Sequence, residues 1–457
     1  MRCHDTLFRD KRIVVMGLGR FGGGVDAAIY AAEQGGRVLV TDLAQPETLV
    51  HSLQDLEGFP SIEYCLGTHA GEAFRNADVV VVNPAVPRDS RWLAQAENAA
   101  ITTQINLFLE RCPATVIGIT GSNGKSTTAA LTAHLLESAA ASGSVSYGAV
   151  WLGGNIGNRP LLRCLPQMNA EDVVVLELSS FQTEMLASPG MSTKIALLTN
   201  LTPNHLDRHG TFEDYCAAKE TLFRLQSGTE SDPSVSLFCK EDAVGREWFE
   251  KYRSQRGRTV GGYCAADVPE PLRECFTLPG RANLNNLAGA LAIVRRLGVR
   301  VSQAAGGVAT FRPLPHRLEA VAEYGKVRWY NDSIATTPES TMAALDALEE
   351  PKVLIAGGYD KGMGFLDLGR HIVEKVKAAV LMGQTTGKIA DAIARAGGSP
   401  VKVERAASLV EAVNLAAQQA VPGDVVILSP ACASYDMFAN FEDRGNEFRR
   451  LIRSLKT

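Results

Sequence analysis

Short apolar runs rich in Val and Ile alternate along the chain with alanine-rich segments of helical length. This alternation is typical of βαβ units that assemble into parallel sheets. The runs predict strands at residues 12–16, 37–40, 78–82, 115–117, 172–176, 194–198, 352–356, 378–382 and 424–428. Helices are predicted at 127–136, 212–222 and 284–297, and a hairpin at 320–330. We therefore predict an α/β fold with mainly parallel sheets.

The length of 457 residues predicts about three domains, each large enough to bury a core of its own. We place a Rossmann-like domain at 1–105, a central P-loop ATPase domain at 106–312 and a second Rossmann-like domain at 313–457. The last helix of the central block is expected at 284–297. The proline-bearing segment FRPLPHR, residues 311–317, is interpreted as a linker.

Composition narrows the class of protein. The chain is 46% hydrophobic and 21% charged, with a formal net charge of −4, which favours a globular protein and gives no indication of nucleic acid or an anionic membrane as partner. No apolar run reaches the roughly 18 residues of a membrane span, and the first dozen residues lack the apolar core of a signal peptide. Nine cysteines without a C-x-x-C pair predict reduced thiols in a cytoplasmic protein, and no zinc site.

The run GITGSNGKSTT, residues 118–128, follows an apolar strand and opens a predicted helix. A glycine-rich turn at this point leaves backbone N–H groups free to cradle phosphate oxygens. It departs from the usual phosphate-loop pattern because position 119 is isoleucine rather than glycine. A tight turn with an ordinary surface lysine is the alternative. We predict ATP binding, with contacts from Gly121, Asn123, Gly124, Lys125, Ser126 and Thr127.

A second glycine-rich turn follows the first strand. Gly17, Gly19 and Gly22 form a G-x-G-x-x-G pattern, and Asp42 ends the next strand. This pattern is typical of dinucleotide sites, in which the acid binds a ribose hydroxyl. A close crossing of helix and strand without a ligand would give the same glycines.

Polar residues also follow two strands of the central block. Glu177 ends an apolar strand near the phosphate loop, which suits a Mg²⁺ ligand; a helix cap is the alternative. His205 and Asp207 follow the next strand, and Lys219 lies on the helix predicted after them. The residue types alone leave His205 and Lys219 balanced between functional and ordinary surface positions.

Asn283 and Asn286, in GRANLNN at the start of the last helix of the central block, could cap that helix or bind an adenine edge. The third block again carries polar residues after its strands. Arg317 could clamp a phosphate, and Asp332 could bind a ribose or a second ligand. The segments GGYDKGMGF at 357–365 and SPACASYDMF at 429–438 follow strands and carry a lysine and small hydroxyls, which indicates recognition of a carboxylated small molecule.

Taken in order, these motifs resemble those of the Mur ligases, ATP-dependent amino-acid ligases of peptidoglycan precursor synthesis. The resemblance covers nearly the whole chain. The motifs that carry it are GITGSNGKSTT, GGNIG (153–157), ELSSFQ (177–182), NHLDRHGTFEDYCAAK (204–219), GRANLNN, PHRLE (315–319), NDS (331–333), GGYDKG and SPACASYDMFANFEDRGNEF (429–448). The last is the most specific to the branch that adds glutamate.

The resemblance implies that the first domain holds UDP, the central domain binds ATP, and the third closes over it with the amino acid. Catalytic roles fall to Lys125, Lys219 and His205, with Lys219 carbamylated. Matching positions assign Mg²⁺ to Ser126, Glu177, His205 and Lys219, and the nucleotide also to Asn283, Asn286, Arg317 and Asp332. The UDP-sugar is assigned to Gly17, Leu18, Gly22, Asp42, Asn155 and Gln182, and glutamate to Thr336, Lys361, Ser434 and Phe441.

The implied reaction joins glutamate to UDP-N-acetylmuramoyl-L-alanine through an acyl phosphate, with D-glutamate favoured over L-glutamate and the enzyme a monomer. Three positions depart from the family pattern: NPA at 83–85 in place of SPG, TQINLF at 103–108 in place of G-[DE]-I-E-L-F, and Ile334 in place of lysine. A ligase for L-glutamate, a dinucleotide oxidoreductase, a non-enzymatic ATP switch and a folate polyglutamate ligase are the alternatives. The last three leave some of the motifs without a role.

Overall fold

The computed structural model of the chain describes residues 7–19, 22–143, 145–156, 160–398 and 401–455. The chain divides into two compact units, one of residues 1–272 with 285–308 and the other of residues 273–284 with 309–457. Across the described ranges, no helix is long and apolar enough to cross a membrane. Three sheets form the framework, two in the first unit and one in the second.

The first sheet has five parallel strands in the order β3-β2-β1-β4-β5. Its strands are β1 Arg12–Met16, β2 Arg37–Asp42, β3 Glu63–Leu66, β4 Val79–Val82 and β5 Ala100–Thr102. Its central strands are almost entirely apolar because both faces are covered. Its helices are α1 Gly23–Glu33, α2 Val50–Gln54, α3 Gly71–Arg75 and α4 Gln104–Arg111.

The second sheet has six parallel strands in the order β11-β10-β9-β6-β8-β7. Its strands are β6 Thr115–Thr120, β7 Val150–Gly154, β8 Val173–Glu177, β9 Ile195–Leu198, β10 Ser234–Cys239 and β11 Arg258–Tyr263. The helices of this part of the chain are α5 Lys125–Ala141, α6 Leu161–Cys164, α7 Ser180–Met185, α8 Leu206–His209, α9 Phe212–Arg224, α10 Ala243–Tyr252, α11 Glu270–Cys275, α12 Arg281–Arg296 and α13 Val301–Thr310.

The third sheet forms the second unit and has the order β12-β13-β17-β14-β15-β16. Only the pair β12 and β13 is antiparallel. Its strands are β12 Glu319–Tyr324, β13 Val327–Asn331, β14 Lys352–Ala356, β15 Val376–Met382, β16 Lys402–Ala406 and β17 Val425–Leu428. Its helices are α14 Pro338–Asp346, α15 Leu366–Lys375, α16 Thr386–Ala396, α17 Leu409–Gln419 and α18 Phe441–Ser454.

Hydrophobic packing matches this division. One buried cluster runs from Phe8 and Val15 in the first sheet region to Leu176 and Phe238 in the second, so the two sheets of the first unit share a core. In the second unit, separate clusters cover the two faces of the third sheet, and they contain Leu354 and Ile355, neighbours on β14 that point to opposite faces.

The α/β fold with mainly parallel sheets is confirmed, while several element bounds were wrong. The helix predicted at 127–136 begins at Lys125 and extends to Ala141. The helix at 284–297 is α12, which begins earlier, at Arg281, and it is not the last of the block because α13 follows. The proposed boundary at 105/106 falls inside α4. The division into three domains with these bounds stays a prediction.

Candidate active site

The phosphate loop lies where the strand order of the second sheet reverses. Strand β6 leads into the loop and has β8 on one side and β9 on the other, with Ile119 paired to Glu177 and Thr120 paired to Leu198. The carboxyl ends of parallel strands at such a switch point form the crevice in which ligands bind. The loop, Glu177 and the segment after β9 therefore share one edge of the sheet.

Side chains that follow β9 hold the phosphate loop in shape. Asn200 Oδ1 accepts a hydrogen bond from Asn123 N at 3.0 Å, and Asn200 Nδ2 donates to the Asn123 carbonyl at 2.9 Å. Thr199 Oγ1 donates to the same carbonyl at 2.6 Å. Gly121 has a φ of 145°, and a Cβ there would lie 1.9 Å from Thr199 Oγ1, so the loop accepts only glycine at this position.

The start of α5 is packed against Asn286. Gly124 precedes the helix with a φ of 80°, and a Cβ there would lie 2.2 Å from Asn286 Oδ1. Thr128 Oγ1 donates to the same oxygen at 3.3 Å. Ser126 and Thr127 are buried in the first turn of the helix. Asn286 thus lies beside the phosphate loop, and its role toward a nucleotide stays a prediction.

Two lysines point to this edge of the sheet. Lys125 Nζ donates to the Ser122 carbonyl at 2.8 Å, which keeps its charge at the loop. Lys219, on α9, is only 1% exposed, and its Nζ donates to Thr120 Oγ1 at 3.3 Å. The same Nζ lies 5.0 Å from the centroid of the Tyr215 ring. The predicted exposed helix position for Lys219, one of two open alternatives, is therefore wrong.

Glu177 and Lys219 are unusual buried groups. Glu177 is 2% exposed; its Oε1 accepts from Asn155 Nδ2 at 3.1 Å, and its Oε2 is buried with no hydrogen-bond partner among the described residues. Burial and, after it, the charge of Lys125 hold the pKa of Lys219 well below its usual value, against the opposing effect of Glu177. The site thus holds a carboxylate oxygen that accepts no hydrogen bond from the described residues and a lysine amine with a lowered pKa.

The alternative interpretation, a helix-capping Glu177 with Ser179 and Ser180 as caps, is confirmed for Ser179 alone. Ser179 caps α7, since its Oγ accepts from Gln182 N at 3.2 Å. Gln182 completes a capping box because its Oε1 accepts from Ser179 N at 2.9 Å. The side-chain amide oxygen of Gln182 is therefore engaged in the cap, and the assignment of Gln182 to the acyl substrate stays a prediction.

Two histidines flank the same region. His205 is exposed and precedes α8 with a φ of 53°, a left-handed conformation that is uncommon outside glycine. Its ring lies 5.2 Å from the ring of Phe181. His209, one turn later, lies within 3.0 Å of Ser180 Oγ, and burial lowers its pKa. Among the described residues, no three His, Cys, Asp or Glu side chains form a metal-binding cluster.

The glycine turn of the first domain lies at another switch point, between β1 and β4. Asp42 ends β2, and its carboxylate accepts from Gly19 N at 3.1 Å and from Ala44 N at 2.8 Å. Asn83 lies in the NPA segment, which departs from the family pattern, and its Nδ2 donates to the Gly17 carbonyl at 3.2 Å. The structure therefore places the predicted UDP contacts of this domain around one turn: Gly17, Leu18, Gly22 and Asp42.

In the second unit, three motif-bearing strands are neighbours: β13, β17 and β14. Asp332 follows β13; its Oδ1 accepts from Leu318 N at 3.0 Å and its Oδ2 from Ser429 Oγ at 2.8 Å. Burial raises the pKa of Asp332 to about 7, against the hydrogen bond from Ser429. Arg317 lies between His316 and Leu318, both of which have positive φ, so the backbone is strained at this point.

Three of the predicted glutamate contacts lie on loops of this unit, Phe441 begins α18, and one buried arginine bonds to two of the loops. Arg444 is 1% exposed and donates to the carbonyls of Ser333, at 2.7 Å, and Cys432, at 3.1 Å. Lys361 is exposed, whereas Ser434 is buried. Asn283, also in this unit, donates to the Pro279 carbonyl at 2.8 Å from the first turn of α12. The predicted glutamate contacts are Thr336, Lys361, Ser434 and Phe441.

Comparison with known proteins identifies the family. A UDP-N-acetylmuramoylalanine--D-glutamate ligase of Roseiflexus sp. (strain RS-1) is 39% identical over 471 residues, covering 97% of this chain and 98% of that protein. The chain belongs to the Mur ligase family. Family models match in order: "Mur ligase MurD-like, N-terminal domain" at 11–104, "Mur ligase middle domain" at 119–267 and "Mur ligase, glutamate ligase domain" at 316–432.

Other Mur ligases agree with this assignment. The protein of the same name from Symbiobacterium thermophilum is 38% identical, covering 93% of this chain and 94% of its own. Among solved structures, a UDP-N-acetylmuramate-alanine ligase from Thermotoga maritima has a TM-score of 0.61 at 18% identity, covering 97% of this chain and 99% of its own. A MurF ligase of that organism in complex with ADP has a TM-score of 0.58 at 16% identity, with 98% and 96% covered. At these identities the structures show the fold.

Sequence reasoning missed several residues that build the site of this Mur ligase. Tyr215 lies inside the motif at 204–219 and Asn200 lies four residues before it, yet neither was predicted to have a role, although Asn200 follows a strand. Arg444 lies in the most branch-specific motif, and no local pattern distinguishes it from a surface arginine. Asp26 lies in the first turn of an alanine-rich helix with apolar residues around it, a signal that could have marked it as buried.

Proposed function

We propose that the protein ligates D-glutamate to UDP-N-acetylmuramoyl-L-alanine, with ATP as the second substrate. One observation carries the proposal: four groups meet at one edge of the second sheet. They are the phosphate loop, the charge of Lys125, the buried amine of Lys219 and the oxygen of Glu177 that accepts no hydrogen bond from the described residues. The relatives named for this reaction cover nearly the whole chain. A folate polyglutamate ligase would leave the first-domain turn without a role.

The reaction follows from the charges that develop. The carboxylate of UDP-N-acetylmuramoyl-L-alanine attacks the γ-phosphorus of ATP, ADP leaves, and an acyl phosphate forms. The glutamate amine then attacks the acyl carbon, and inorganic phosphate leaves with a proton lost to solvent. Lys125 and the loop N–H groups face the transferring phosphoryl group and stabilise its charge. Exclusion of water protects the acyl phosphate from hydrolysis.

The residues present fit a Mg²⁺ ion. A buried carboxylate oxygen without a donor is unfavourable unless a cation meets it, and Glu177 Oε2 is such an oxygen. Mg²⁺ is commonly bound by one or two carboxylates together with substrate phosphates. Glu177, His205, Ser126 and the carbamate of Lys219 would hold it, and it would neutralise charge on the phosphate oxygens.

We further propose that Lys219 is carbamylated. The lone pair of its neutral Nζ attacks the carbon of CO₂, a C=O electron pair moves to oxygen, and the nitrogen loses a proton to solvent. A buried ammonium without a carboxylate partner is unfavourable, whereas a carbamate supplies oxygen ligands to a cation. Thr120 Oγ1, which contacts Nζ, already donates to the Leu178 carbonyl at 2.8 Å and so is oriented to accept.

The glutamate site is assigned to the second unit. Lys361 offers a positive charge to a substrate carboxylate, and Thr336 and Ser434 offer hydroxyls. Lys361→Ala is expected to raise the KM for glutamate about tenfold, with the KM for ATP nearly unchanged, because only one charge facing the amino acid is lost. Steady-state phosphate release measures both constants. Lys402→Ala, at an exposed lysine of β16, is the matched control.

The enantiomer is tested with the same assay. We expect D-glutamate to be used faster than L-glutamate with the same UDP-sugar. Faster turnover of L-glutamate would overturn the stereochemistry and leave the ligase, and Ile334 in place of the family lysine would then be the first position to examine. Turnover with neither enantiomer, but with another amino acid, would overturn the substrate assignment.

Asp42→Ala is expected to raise the KM for the UDP-sugar about tenfold and to leave the KM for ATP unchanged. The physical reason is that Gly19 N and Ala44 N lose their acceptor, so the turn that holds the uridine part is no longer fixed. Both constants come from initial rates at saturating glutamate. A weakened affinity for ATP instead would show that the two nucleotide sites are assigned to the wrong domains.

A further inference from the structure

Within the first unit, the carboxylate of Asp26, on the helix that follows the first strand of the first sheet, caps the short helix α6. Asp26 lies in the first turn of α1 and is 1% exposed. Its Oδ2 accepts from Leu162 N at 2.9 Å, and its Oδ1 accepts from Arg163 N at 3.4 Å. Both N–H groups belong to the first turn of α6, whose own N-cap, Pro160, provides no capping side chain. Asp26 therefore supplies the cap from a distant part of the chain.

The same carboxylate accepts a hydrogen bond from a residue that departs from the family pattern. Gln104, at the start of α4, donates from Nε2 to Asp26 Oδ2 at 2.7 Å, and Arg163 Nε lies 3.6 Å from Oδ1. In the family pattern an acid stands where this chain has Gln104. Two carboxylates in this buried place would repel each other, whereas an amide donates. Gln104 is thus complementary to Asp26.

Helix α6, which Asp26 caps, packs against the segment that carries Asn155, one of the residues assigned to the acyl substrate. Leu161 packs closely on Gly153, where a Cβ would lie 2.4 Å from Leu161 Cδ2. Two residues beyond Gly153, Asn155 donates to Glu177 Oε1 at 3.1 Å and its N–H to the Glu177 carbonyl at 2.8 Å. At the other end, α1 begins directly after the glycine turn. Asp26 therefore joins the two places to which the UDP-sugar is assigned.

We propose that Asp26 is a positioning residue that fixes the spacing between the glycine turn of α1 and the Asn155 segment. This inference rests on the proposed function, because a nucleotide-sugar with an acyl end is the substrate that reaches both places. UDP alone would occupy only the glycine turn. Loss of the Asp26 contacts therefore weakens the long substrate and leaves UDP unaffected.

The test compares equilibrium binding of UDP and of UDP-N-acetylmuramoyl-L-alanine, without ATP, in Asp26→Ala, Gln104→Glu and the swapped variant Asp26→Asn with Gln104→Glu. Each single change is expected to weaken the long substrate about tenfold and UDP less than about twofold. The swap restores an amide beside a carboxylate, so it is expected to recover most of the affinity, a coupling that independent sites do not show. Glu137→Gln, at an exposed acid of α5, is the control.

The outcomes separate this inference from the proposed function. Thermal unfolding is recorded for every variant, and the swap remains informative if Asp26→Ala does not fold. Equal weakening of UDP and of the long substrate would overturn the positioning role, as would a swap no better than the single changes. If the wild-type protein binds UDP and not the long substrate, the proposed function fails first, and the inference fails with it.

Discussion

Replacing Lys125 with alanine is expected to lower the rate of glutamate-dependent phosphate release by about 10²-fold or more. The side chain is half-buried at the start of α5, where its Nζ donates a hydrogen bond to the Ser122 carbonyl. Its removal therefore deletes a charge at the phosphate loop without opening the core. The measurement is the initial rate with ATP, UDP-N-acetylmuramoyl-L-alanine and D-glutamate all saturating.

Two controls decide how the Lys125 result is interpreted. Lys402→Ala removes the same ammonium from an exposed position and is expected to leave the rate unchanged. Thermal unfolding of Lys125→Ala is expected to stay close to that of the wild type, since Asn200 and Thr199 still hold the backbone of the loop when the lysine is removed. Near-normal turnover in a folded Lys125→Ala protein would contradict the assignment of the phosphate loop.

Much of the site could be predicted because the fold repeats one rule. In parallel sheets the carboxyl ends of strands meet at one edge, so polar residues that follow separate strands come together. Glu177 at the end of β8 and Asn200 after β9 obey it around β6. Asp332, Gly357 and Ser429 obey it after β13, β14 and β17. Local glycine patterns at each turn then locate the phosphate-binding loops.

Contacts between distant segments could not be predicted in the same way. Asp26 and Leu162 are 136 positions apart, and nothing local at Asp26 indicates which helix it caps. The burial of Lys219 likewise depends on Thr120 and Tyr215, which pack around its amine only in the folded sheet. Alanine favours the helix at every position, so an alanine-rich segment gives little indication of where its helix begins or ends. For this reason α12 begins earlier than predicted, and α13 was not predicted.

The buried amine of Lys219 and the Glu177 oxygen without a hydrogen-bond donor have one common explanation. Glu177 Oε2 and Lys219 Nζ lie in the same low-dielectric edge, and each alone is unfavourable there. If Lys219 remained an amine, Thr120 would be its one described hydrogen-bond partner. As a carbamate it would add negative charge beside Glu177, which a divalent cation and Lys125 would balance. The proposed carbamate would therefore make the site a cation-binding pair of anions.

Lys219→Ala is expected to lower turnover by about 10²-fold or more, and added acetate or propionate is expected to restore part of it. The missing group is an oxygen anion, so a small carboxylate that enters the space left by the side chain can take its place. Lys219→Met, which keeps much of the volume, is expected to be equally inactive and not to be rescued, because the methionine fills that space. Rates at fixed pH with and without the added acid measure this.

Lys219 of the wild-type protein is expected to carry CO₂ under the conditions of assay. Burial holds the pKa of its amine well below the usual value, which favours the neutral form that reacts with CO₂, so stripping CO₂ at constant pH should lower activity and bicarbonate should restore it. Labelled bicarbonate gives a carbamate signal by NMR that Lys219→Met lacks. Full activity after CO₂ removal, together with no labelled carbamate and no rescue of Lys219→Ala, would show that Lys219 acts as an unmodified amine.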